Sequence, residues 1–60
     1  MDENKTYRIE YNQYEILSIM EDGEYTTASG NMLISARPST IKTALTALGV
    51  NISKMDTYPY

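Results

Sequence analysis

The side chains able to do chemistry in this chain are eight carboxylates, five Lys and Arg side chains and six tyrosines, with no cysteine and no histidine. That absence removes thiol nucleophiles, Cys–His dyads, Ser–His–Asp triads, imidazole acid–base chemistry and zinc-finger ligand sets in one step. Several carboxylates fall at expected turns, where water leaves little reason for a pKa to move into a catalytic range. Asp22-Gly23-Glu24 lacks the spacing of a calcium loop, and no glycine-rich phosphate loop occurs. The sequence therefore predicts no enzyme, no metal site and no cofactor, and the chemistry that remains is that of binding.

Two features bear on binding. The first is charge: residues 1–24 carry seven acids against Lys5 and Arg8, whereas residues 25–55 carry Arg37, Lys42 and Lys54 and no acid, within a net charge of −3. Glu10, Glu15, Glu21, Asp22 and Glu24 could imitate the spacing of nucleic-acid phosphates and occupy a basic groove, or simply keep an exposed sheet soluble. The second is the aromatic balance, six Tyr with no Phe and no Trp. Tyrosine joins contact area to a hydrogen-bonding tip and suits a protein-binding surface. Tyr7, Tyr11, Tyr14 and Tyr25 fall in expected strands, interleaved with acids rather than with the bases that a nucleic-acid stacking platform needs.

These side chains must be positioned by a small scaffold. Sixty residues make a single domain, 1–60, whose core is modest and unstapled, so a homodimer or a larger partner is expected to supply missing stability. The longest apolar runs, Ile16-Leu17 and Met32-Leu33-Ile34, are too short for a membrane span or a signal segment. Zero cysteine fits a reducing cytosol, and the expectation is a cytoplasmic protein.

Lys5 to Tyr11 alternates strictly and predicts a half-buried strand. Residues 12–20 fit either a strand or a helix capped by Asn12. Asp22-Gly23 is a hairpin signal and favours the strand, pairing Met20 with Tyr25 and Ile19 with Thr26. Ser29-Gly30-Asn31 reads as a turn, and Met32 to Ile34 as a short apolar strand. Pro38 suits a helix's first turn. Ile41, Ala44, Leu45 and Leu48 form one apolar stripe, and Gly49 ends the helix. Val50 to Ser53 reads as a short closing strand, and Asp56 to Tyr60 as a mobile tail. The fold expected is α+β: an antiparallel sheet of three or four strands from residues 5–34, packed on one amphipathic helix over 38–48. Its candidate core is Ile9, Ile16, Leu17, Ile19, Met20, Met32, Leu33, Ile34, Ile41, Leu45, Leu48, Val50 and Ile52.

The stretch Arg37 to Gly49, RPSTIKTALTALG, resembles the recognition helix of repressor-type helix-turn-helix domains. That resemblance covers about a fifth of the chain and implies DNA binding through Arg37, Ser39, Lys42, Thr43 and Thr46. It departs from the pattern at Ser35, where the family's turn has glycine, and at Ser29-Gly30-Asn31, which interrupts the helix required before the turn. It offers few base-reading side chains on its outer face, and three scattered positive charges are few for holding a duplex.

The functional expectation is a small protein-binding module, an inhibitor or adaptor. It would dock on a larger protein, for instance one that itself binds nucleic acid, through an acidic, tyrosine-bearing sheet face comprising Tyr11, Tyr14, Glu15, Glu21, Asp22, Glu24 and Tyr25. In composition it looks like the small accessory proteins of phages and mobile elements. The alternative is a small DNA-binding transcriptional regulator using the helix.

Overall fold

The computed structural model describes residues 1–21 and 30–59. Three strands, β1 (Tyr7–Tyr11), β2 (Ile16–Glu21) and β3 (Met32–Ala36), form a sheet in the order β2-β1-β3, with β1 antiparallel to both neighbours. One helix, α1 (Pro38–Ala47), follows β3 and packs against the sheet, giving the expected α+β architecture. In the middle strand β1 the alternation holds: Tyr7, Ile9 and Tyr11 turn into the core, and Arg8 and Glu10 point to the opposite face.

Of residues 12–20, read as strand or helix, those from Ile16 onward form a strand and those before it a turn. The pairs Tyr11–Ile16 and Glu10–Ser18 leave Leu17 as the extra residue of a β-bulge. The bulge explains the mixed signal, because it brings Ile16 and Ile19 to the same buried face at a spacing of three, which in a sequence reads as helical. Asn12 does cap, but it caps a hairpin turn. Its side-chain oxygen accepts the N–H groups of Tyr14 and Glu15 at 2.8 and 2.9 Å, and its own N–H donates to the Glu15 carbonyl at 3.0 Å. The hairpin expected at Asp22-Gly23 lies outside the described residues. The described partner of β2 is β1, with Met20 opposite Arg8 and Ile19 opposite Ile9.

In α1, Pro38 occupies the first turn, and Ile41 and Leu45 are wholly buried. Gly49, at φ +80°, closes the helix: its N–H donates to the Thr46 carbonyl at 3.0 Å, and the Val50 N–H reaches back to the Leu45 carbonyl at 2.9 Å. The buried side chains of Leu45 and Val50 accompany this close. Leu48, the C-cap residue, still has helical dihedrals, but it lies beyond the buried part of the stripe and is 62% exposed.

The rest of the core differs from expectation in an instructive way. Tyr7, Ile9, Tyr11, Ile16, Ile19, Ile41, Leu45, Val50 and Met55 are buried, whereas Leu17, Met32, Leu33 and Leu48 are exposed. The segment after α1 contributes only one parallel bridge, Glu15 to Asn51, before residues Ser53–Thr57 form a 3-10 helix that drives Met55 into the core. Tyr58 then packs edge-on against Tyr7, with ring centroids 5.7 Å apart at 80°. The closing strand and tail read from the sequence are thus replaced, through Tyr58, by a packed lid.

Candidate functional site

The tyrosines and carboxylates expected to share one surface are distributed differently. Tyr11 is a core residue, 8% exposed, because it lies on the inward face of β1 with Tyr7 and Ile9. Tyr14, in the β1–β2 turn, is 70% exposed. Glu15 and Glu21 flank β2 at opposite ends, about 20 Å apart along an extended chain. Each is paired: Glu15 with Lys54 at 3.1 Å and Glu21 with Lys5 at 3.2 Å. The bond to Glu21, reinforced by its charge, raises the Lys5 pKa. Asp22, Glu24 and Tyr25 lie outside the described residues. Glu10 is almost fully buried on the face of the sheet away from α1, where it accepts a hydrogen bond from the Asn31 amide at 2.8 Å.

The turn that exposes Tyr14 is fixed from both sides. Asn12 holds it from within, and the Tyr14 carbonyl accepts the Asn51 N–H at 2.9 Å, tying the turn to the chain leaving α1. That bond brings the C-terminus of α1, and with it Leu48, to the same end of the molecule as Tyr14. Leu17 follows in the bulge, and Met32 and Leu33 open β3 opposite Tyr11 and Glu10. All five exposed large hydrophobic side chains among the described residues, Tyr14, Leu17, Met32, Leu33 and Leu48, therefore gather at the end where β1 finishes and β3 begins. The opposite end is polar, with the Lys5–Glu21 pair, Glu3 and Arg37. Sequence reasoning named Tyr14 and missed this corner, because Leu17 and Leu48 look like core residues until the bulge and the extent of the core beneath α1 are known.

The residues of the DNA-binding alternative sit together on α1 and just before it. Arg37, Ser39, Lys42, Thr43 and Thr46 are all exposed. Where a helix-turn-helix unit would need its first helix, the strand β3 leads into α1. The N-terminus of α1 is also occupied by an acid of the same chain: Glu3 accepts the Ser39 N–H at 2.9 Å and the Ser39 hydroxyl at 2.6 Å. Those hydrogen bonds, with smaller help from the charges of Arg37 and Lys42, lower the Glu3 pKa. A carboxylate there repels a phosphate from the one point where a helix dipole would attract it. Lys42 lies 3.9 Å from Asp56.

All six described carboxylates accept a bond or ion pair from within the chain: Asp2 from the Asn4 N–H, Glu3 from Ser39, Glu10 from Asn31, Glu15 from Lys54, Glu21 from Lys5 and Asp56 from Lys42. Among the described residues no cluster of acids could hold a metal ion, and no helix is long and apolar enough to cross a membrane. No protein-family model matches the chain, and neither does a curated protein or a solved structure.

Proposed function

We propose that this protein is a small non-enzymatic docking module of the cytoplasm, an inhibitor or adaptor, that engages a larger protein through the corner formed by Tyr14, Leu17 and Leu48 beside Glu15. The observation that supports this reading is the exposure of large apolar side chains at one end of the domain, around a hydrogen-bonded turn. Exposed hydrophobic residues scattered singly mean little, but a group at one end of a small domain suits a protein contact. A tyrosine presented at 70% exposure on a hydrogen-bonded turn offers contact area at low entropic cost. Glu15, tied to Lys54, supplies a polar rim rather than phosphate mimicry. A partner that itself handles nucleic acid, in the setting of a phage or mobile element, fits the acidic composition.

Affinity capture from a host lysate, run side by side with the wild-type chain, Tyr14→Ala/Leu48→Ser and Arg37→Ala/Lys42→Ala, tests the reading. The expected result is a discrete partner lost with the first variant and kept with the second. A partner kept by the first and lost by the second, or a sequence-selective shift of duplex DNA by the wild-type chain at about 0.15 M salt, would move the function to α1.

A further inference from the structure

We propose that two copies of this chain associate through β3, antiparallel along Met32–Ala36, to make one continuous six-stranded sheet. The sheet has two edges, and they differ. β2 carries the devices that discourage strand addition: a bulge at Leu17, the charged Glu21 at one end, and at the other Glu15, already bridged to Asn51. β3 carries none. It pairs with β1 at all five positions without a register shift, contains no charge and no proline, and pairs with no other strand among the described residues. Met32 and Leu33, 46% and 44% exposed, point to opposite faces at its start.

A second copy fits this edge by symmetry and by charge. With Ile34 on the two-fold axis, Met32 meets Ala36 of the other copy and Leu33 meets Ser35, a large residue opposite a small one each time. The strand is neutral, so a chain of net charge −3 opposes no like charges along the seam. Just beyond it, Arg37 of each copy comes opposite Asn31 of the other, whose amide donates to the almost fully buried Glu10 at 2.8 Å. Each end of the seam thus sets a guanidinium toward a carboxylate, twice over in the dimer. A small core without disulfides gains stability from such an association. The seam leaves Tyr14 and Leu48 free, so this inference does not depend on the docking reading.

Sedimentation equilibrium of the purified chain over rising concentration tests it. The expected result is a dimer with a dissociation constant below about 1 mM. Leu33→Lys/Ser35→Lys, which sets lysine opposite lysine across the seam, is expected to weaken association about tenfold or more, and Arg37→Glu to weaken it most at low salt. Tyr14→Ala should dimerise like the wild type. Amide exchange on the wild-type chain adds a readout without substitutions: β3 amides should slow as concentration rises. A chain that stays monomeric at about 1 mM, a folded double-lysine variant that dimerises at full strength, or β3 amides indifferent to concentration would overturn the inference.

Discussion

Glu3 caps a helix that begins far away in sequence: its two carboxylate oxygens take the N–H and the hydroxyl of Ser39, 36 residues on, at 2.9 and 2.6 Å. The N-terminal segment is thereby tied to α1, and it is held again where the Asp2 N–H donates to the Tyr7 hydroxyl at 2.8 Å.

A pH dependence follows from this tie. Hydrogen bonding to Ser39 holds the Glu3 pKa below its ordinary 4.5. A carboxylate lowered on folding contributes stability above its unfolded pKa and loses it as pH falls through the folded pKa. The urea midpoint of the wild-type chain should therefore drop on acidification through that range more than the midpoint of Glu3→Gln. Parallel curves would mean that the pair adds nothing.

Leu45 and Leu48 are three residues apart and should behave oppositely. Leu45→Ala empties a wholly buried site and should cost about 2–5 kcal/mol, enough to unfold much of a domain this small. Leu48→Ala, at a position 62% exposed, should stay within about 0.5 kcal/mol. Thermal unfolding followed by circular dichroism separates the two, and equal losses would put Leu48 back in the core.

Gly49 gives a backbone test. A Cβ built there meets nothing within 4 Å, so the cost of Gly49→Ala comes from its φ of +80° alone and should be roughly 1–2 kcal/mol. An unchanged melting temperature would show that the helix can close another way.

These contrasts also mark what could be read in the sequence. The alternation of Tyr7, Ile9 and Tyr11, the Pro38 start, the Ile41–Leu45 stripe and the Gly49 stop are local signals, and each is found in the structure. The pairing of β1 with both β2 and β3 is not local, and neither is the Glu3–Ser39 cap. The bulge at Leu17 gave a strand a helical spacing and turned an apparent core residue outward. Met55 follows a segment that reads as a closing strand, and Tyr58 falls in one that reads as a tail; what places both is the open side of the core, which is not local. For the site, the sequence names Tyr14 and Glu15 as binding residues but within an expected strand or helix; the turn that exposes them depends on the Asn12 cap and the bulge that follows. Tyr11 was misplaced because an alternating strand says which residues share a face, but not which face is covered.

The claim that matters most is that partners meet the Tyr14 corner, and site-specific photocrosslinking in living cells tests it most directly. A benzophenone side chain placed at position 14 should give one discrete adduct with a larger protein, while the same group at position 43, on the exposed face of α1, should give none. Adducts from position 43 with none from position 14, in two variants that both fold, would contradict the account.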